Sequence, residues 1–354
     1  MITVSTCNLN QWALDFDGNL QRILKSITIA KSHNSSYRIG PELEICGYGC
    51  EDHFDEKETV DHCWDSIVSL LPETYDIFCD FGMPVWLNGA LYNCRIFVHH
   101  GKILGIRPKM ALADDGNYRE PRWFTAWKQD KEMEEFILPE KIQKVTGQVK
   151  VPFGYFFVQA KDVSIGAEIC EELFTENNNP HIEQSFRGVQ IIGNGSGSHH
   201  QLRKLDTRIE LIQSAGKKYG GIYLYANQQG CDGGRLYYDG CACIAVNGDI
   251  VAQASQFSVT DVEVISATVD LKEVDAYRKT CSWNIKAREC KSLHQVNLDH
   301  DLVLENSSRP HSVPITVKYH KPQEEIAFGP ACWLWDYLRR SGAKGFFLPL
   351  SGNL

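Results

Sequence analysis

A chain of 354 residues, 43% hydrophobic and 23% charged, has the composition of a globular protein with room for one large domain or a domain plus an appendage. Its net charge of −9, from 36 basic and 45 acidic residues, argues against nucleic acid or an anionic membrane surface as a partner. No apolar run approaches the roughly 20 residues of a membrane span, and the start MITVSTCNLN lacks the basic region and long apolar core of a secretion signal.

The 13 cysteines, scattered and odd in number, fit a reducing, cytoplasmic compartment where thiols serve as small core residues. Cys46 and Cys50 form CxxxC, Cys241 and Cys243 form CxC, and His199-His200 is a lone dyad. Without a second matched pair, no metal site is expected.

In chain order, MITVSTCNL is predicted as a strand, and Leu20, Ile23, Leu24, Ile27 and Ala30 recur at helical spacing. Val60, Cys63, Trp64, Ile67, Val68 and Leu71 predict a second amphipathic helix, ended by Pro72. Two short strands are expected at 75–79 and 82–86. LYNCRIFVHHGKILGIRPK then predicts a hairpin turning at His100-Gly101. Residues 111–148 are polar, aromatic and weakly periodic, and predict a long excursion outside the core.

Further strands are expected at 155–160, 162–169, 189–193, 222–226 and 262–269, with a hairpin over 241–254 turning at Asn247-Gly248 and helices at about 180–187 and 204–219. Strands mixed with helices and hairpins predict an α/β or α+β layered domain with mixed sheets, over residues 1–275. Residues 276–323, polar and without a period, are expected to be a linker or wrapping segment. Residues 324–354 predict a strong helix stopping at Gly342 and a strand at 346–350.

Three reactive residue types each follow an expected strand end. Glu42 follows Gly40-Pro41, Lys109 follows Arg107-Pro108, and Cys170 closes the apolar run of SIGAEICEELF. Taken singly, such residues are as a rule a solvated turn acid, a surface cation and a core thiol. Around Cys170 the acids Glu168, Glu171 and Glu172 disfavour a thiolate, so any activation must come from elsewhere in the chain.

PELEICGYG, RPKMALADDGNYRE and SIGAEICEELF, in this order, resemble the three catalytic motifs of the nitrilase, or carbon–nitrogen hydrolase, superfamily. NQWALDF, GNGSGSHH, GGIYLYANQQGCDGGRLYYDGC and GPACWLWDYLRRS extend the likeness to the amino-terminal glutaminase domains of eukaryotic glutamine-dependent NAD synthetases. The resemblance implies a four-layer α-β-β-α sandwich. It implies Glu42 as general base, Lys109 as the oxyanion-stabilising cation and Cys170 as nucleophile, with Glu120 as an auxiliary acid. It further implies that Tyr118, Ser198 and Lys204 hold glutamine, that no cofactor serves this step, and that the chain forms homo-oligomers or assembles with the full-length synthetase. ATP with Mg²⁺ belongs to a synthetase domain whose SGGxDS loop is represented here by Ser351-Gly352 alone, so these residues by themselves are not expected to make NAD.

Overall fold

The computed structural model describes residues 1–128, 132–175, 179–280, 293–303, 309–350 and 352. Its strands are β1 (Ile2–Leu9), β2 (Tyr37–Ile39), β3 (Phe78–Leu87), β4 (Ala90–His99), β5 (Lys102–Pro108), β6 (Glu134–Ile137), β7 (Lys150–Phe153) and β8 (Phe156–Gln159). They continue as β9 (Ser164–Ile169), β10 (Ile191–Ser196), β11 (Ile222–Gly230), β12 (Tyr238–Asp239), β13 (Cys243–Val246), β14 (Asp249–Gln253), β15 (Val262–Val269) and β16 (His294–Asn297). The helices are α1 (Phe16–Ser32), α2 (Lys57–Leu70), α3 (Glu140–Thr146), α4 (Pro180–Phe186), α5 (Lys204–Tyr219), α6 (Leu271–Thr280) and α7 (Pro322–Ser341). Among the described residues, no helix is long and apolar enough to cross a membrane.

The strands share one hydrogen-bonded network with two halves. One runs β15-β1-β2-β3-β4-β5-β7-β6. The other runs β14-β13-β11-β10-β9-β8-β16. They meet where Asn8 and Leu9 pair with Asn227 and Gln228. Both faces of most strands are buried, and the period of two sorts side chains between them. In β11, Ile222, Leu224 and Ala226 join a core shared with Ile2, Val4, Tyr37, Ile39 and Phe97 of the other half. Tyr223 and Tyr225 face the opposite way, against Leu205, Ile209 and Ile212 of α5. On the far side, Ile23 and Ile27 of α1 and Trp64 and Ile67 of α2 pack on Cys7, Leu9, Cys79 and Phe81. Three apolar layers between helix, sheet, sheet and helix make the expected four-layer α-β-β-α sandwich.

Several expectations need correction. The two strands foreseen at 75–79 and 82–86 are one strand, β3. Pro84 is tolerated within it because β2 pairs only with Phe78, Cys79 and Asp80, leaving no strand that needs a proline N–H. The excursion at 111–148 contains β6 and α3, and the boundary drawn at 275 falls inside α6. No strand forms at 346–350; the segment pairs with no strand among the described residues, and Phe347 is 93% exposed. The expected linker at 276–323 lies partly outside the described residues, as does Ser351.

The buried Arg95 on β4 holds the turn after β2. Its guanidinium pairs with Asp80 and donates to the carbonyls of Pro41 (2.7 Å) and Gly40 (2.9 Å). Gly195 is required here, since a Cβ would lie 2.2 Å from Arg95 Nη1. Arg95→Ala leaves Asp80 buried and unpaired, and is expected to destabilise the fold by about 3–5 kcal/mol, read as a lower urea midpoint.

Candidate active site

Glu42, Lys109 and Cys170 each sit just past the carboxyl end of a strand, β2, β5 and β9 respectively. The topology brings the first two into contact, with Lys109 Nζ 2.6 Å from Glu42 Oε1 and 2.8 Å from Glu120 Oε1. All three are essentially without solvent exposure. Glu42 also accepts from Asn93 Nδ2 (2.7 Å) and the Gly197 amide (3.1 Å), while its own carbonyl accepts from Gln228 Nε2 (2.9 Å). Glu120 accepts from the Ala113 amide (3.0 Å) and the Tyr48 hydroxyl.

Cys170 opens a 3-10 turn, Cys170–Leu173, directly after β9. Its φ of 39° lies in the left-handed region, strained for a side chain and common at functional turns. Two contacts hold it there. The Cys170 amide donates to Asn194 Oδ1 (3.1 Å), and the Ile169 amide donates to Glu172 (2.7 Å). Glu172 also pairs with Arg107 at 2.7 Å and accepts from the Met110 amide at 2.6 Å. It therefore ties the end of β9 to the residues flanking Lys109, a positioning role.

The acids around Cys170 are thus largely committed elsewhere. Glu168 accepts from the His181 amide (2.6 Å) and the Tyr223 hydroxyl (2.6 Å) and pairs with His181 Nδ1. Burial works against its charge, but the His181 contacts hold its carboxyl below the usual range. For Glu171, burial raises the carboxyl.

Electrostatics divide the central groups. Burial raises the Cys170 thiol strongly, Glu42 raises it further, and Lys109 opposes both. Burial likewise pushes Glu42 up, against the pull of Lys109, to about 7. Burial disfavours the Lys109 ammonium, yet Glu120 and Glu42 overcome it and keep the lysine charged. With both carboxylates ionised, the Glu42–Lys109–Glu120 cluster carries one net negative charge, so a preformed thiolate beside it is disfavoured. A neutral thiol next to a carboxylate whose pKa is near neutrality suits proton transfer concerted with attack.

Tyr118 and Lys204 lie together, with Lys204 Nζ 5.6 Å from the Tyr118 ring centroid and 5.9 Å from that of Phe174. Burial and Arg208 lower the Lys204 pKa. The Tyr118 hydroxyl donates to the Gly197 carbonyl (3.0 Å) and accepts from the His199 amide (3.1 Å). Ser198 is held by other partners: its amide donates to Asn227 Oδ1 (2.9 Å), and its hydroxyl meets Arg208 Nη2 (3.2 Å). A small cavity of about 50 Å³, lined by Leu43, Tyr48, Tyr118, Glu120, Asp232 and Tyr238 among others, opens beside this cluster.

Sequence reasoning missed Asn93, Tyr48 and Asn194. Only the hairpin alternation that turns Asn93 inward from β4 could have hinted at one of them.

Residues 3–279 match the carbon–nitrogen hydrolase family. The chain is 56% identical to the glutamine-dependent NAD(+) synthetase of Homo sapiens, over 100% of its length and 50% of that protein. Against the protein of the same name from Saccharomyces cerevisiae it is 54% identical, over 100% of this chain and 51% of the relative. It spans about half the length of the curated relatives it matches. Among solved structures, a glutamine-dependent NAD(+) synthetase from Cytophaga hutchinsonii superposes with a TM-score of 0.68 at 31% identity, covering 75% of this chain and 42% of that one. An amidase from Nesterenkonia sp. AN1, 14% identical, shares the fold with a TM-score of 0.59 over 79% of this chain and 99% of its own. The chain belongs to the carbon–nitrogen hydrolase family.

Proposed function

We propose that the chain hydrolyses the side-chain amide of glutamine to glutamate and ammonia through a thioester on Cys170. The observation that carries this reading is the buried Glu42–Lys109–Glu120 cluster, together with a strained cysteine that, like Glu42 and Lys109, sits just past the carboxyl end of a strand. Cys170 Sγ attacks the amide carbon as its proton passes to Glu42, and the developing oxyanion is stabilised by Lys109. Collapse returns that proton to the nitrogen, which leaves as ammonia. Water then attacks the γ-glutamyl thioester with Glu42 again as base, releasing glutamate and the thiol. Glu120 holds the ammonium of Lys109 in place. Tyr118 and Lys204 contact the bound glutamine, and Ser198, fixed by Asn227 and Arg208, shapes the wall beside it.

Acid, base and nucleophile all come from the chain, so the hydrolysis needs no cofactor. The relatives are named glutamine-dependent NAD(+) synthetases, and the use of the product that this name and the motif resemblance suggest is ammonia supply to an ATP- and Mg²⁺-dependent synthetase domain that residues 1–354 do not contain in full. Exposed Phe347, Leu348 and Leu350, with Trp335 on α7, favour association with a second chain, either another copy or a full-length synthetase. Ten of the eleven cysteines among the described residues are free and buried, which fits a reducing cytoplasm.

The test is release of glutamate and ammonia from glutamine by the purified chain. Because Glu42 must be deprotonated to accept the thiol proton, kcat/KM is expected to rise with pH as that carboxyl, pushed up to about 7, loses its proton. Absence of turnover, with no adduct from a glutamine-like electrophile, would instead favour a non-catalytic role in assembly. A profile flat from about pH 6 to 8 would remove Glu42 as the base.

A further inference from the structure

His99 ends β4, His100 opens the turn to β5, and His300 arrives beside them on the loop after β16. Their rings lie close together in all three pairings, with centroids 4.7 to 4.9 Å apart. One nitrogen from each falls within 4.8 Å of the others, with no carboxylate in the group. Clustering three imidazoles serves no purpose in the glutamine chemistry, since this turn lies at the opposite end of β5 from Lys109.

His99 is the telling member. It is buried at 3% exposure, the Ile77 backbone lies beside its ring, and among the described residues neither ring nitrogen makes a well-formed hydrogen bond. Ile77 can engage only one ring nitrogen, and leaving the other buried without a partner is costly, so its partner is expected to arrive from solution.

The geometry points to a binding site for a divalent transition metal, Zn²⁺ foremost, formed by His99, His100 and His300. Imidazole is the ligand type suited to Zn²⁺, and three protein ligands with water in the fourth position form an established coordination pattern. With Zn–N distances of about 2.0–2.1 Å, a tetrahedral site needs nitrogens about 3.4 Å apart. His100 and His300 are solvent-exposed, and small rotations of their side chains close the present 4.8 Å spread. The ion would clasp the segment bearing β16 to the β4–β5 hairpin, in addition to the pairing of β16 with β8. Its effect is structural and remote from Cys170.

The test uses the full chain, stripped with chelator and titrated with Zn²⁺ by calorimetry, with thermal melting run in parallel. One equivalent is expected to bind and raise Tm. His100→Ala and His300→Ala, both at exposed positions, are expected to fold and to weaken binding at least about 100-fold while leaving glutamine hydrolysis intact. Co²⁺ in place of Zn²⁺ should give tetrahedral ligand-field absorption without thiolate charge transfer. No binding to the parent chain, unchanged binding in both variants, or a thiolate signature would overturn the assignment.

Discussion

On the proposed mechanism, Cys170→Ala is expected to abolish glutamine hydrolysis, a loss on the order of 10⁶ by comparison with deletion of a nucleophile in other hydrolases that use a covalent intermediate. None of the three charged residues of the cluster can replace the sulfur. Lys109 is held charged by Glu120 and Glu42, and a protonated amine has no lone pair to attack with. Glu42 and Glu120 are both bonded to that amine, and a carboxylate so engaged is a poor nucleophile. The substitution removes one buried atom and keeps the same side of φ space, so the variant should melt close to the parent. Ammonia release measured beside a melting curve separates lost chemistry from lost fold. Residual activity above a few per cent in a well-folded variant would place the nucleophile elsewhere.

Lys109→Ala is the second large effect, and it acts on both chemistry and stability. The lysine is the only cation bonded to Glu42 and Glu120 among the described residues, and it sits 2.6 and 2.8 Å from them. Its removal takes away the oxyanion donor, worth about 10²–10³ in kcat. It also leaves two buried carboxylates facing each other, which costs about 3–5 kcal/mol unless one takes up a proton. Like charges at close range raise the pKa of one partner, so Glu42 should move further up from about 7. The alkaline rise in kcat/KM should therefore shift to higher pH in the variant, a change that simple loosening of the fold does not produce.

The sequence announced much of this arrangement but joined little of it. The hairpin at His100-Gly101 was legible because two strand patterns flank residues that tolerate positive φ, and both adopt it, at 50° and 68°. The turn at Asn247-Gly248 follows the same logic, with φ of 51° and 91°. Helix α6 was missed because LKEVDAYRKT offers little apolar surface beyond Leu271 and Val274, too few positions to show a period. The strand expected at 346–350 failed for the opposite reason. Its residues are apolar and suited to a strand, but a strand exists only where another accepts its hydrogen bonds.

At the site, Glu42, Lys109 and Cys170 each looked ordinary alone, and only the motif resemblance grouped them. Their meeting depends on β2, β5 and β9 ending on the same side of the sandwich, a property of topology and not of local sequence. The acidic surroundings of Cys170 were misleading for the same reason. Glu168 turns to His181 and Tyr223, and Glu172 to Arg107, partners remote in the chain. Two acids that seemed to oppose the thiolate are instead part of the frame holding its turn.

The central claim is that Lys109, acting with Glu42, makes a buried cysteine with a raised pKa reactive toward a glutamine-shaped electrophile. The most direct measurement is the rate of covalent labelling at Cys170 by a glutamine-analogue electrophile, followed by intact mass. The parent chain should gain one adduct, Cys170→Ala none, and Lys109→Ala should react at least about 100-fold more slowly. Labelling of Lys109→Ala at the parent rate would contradict the account.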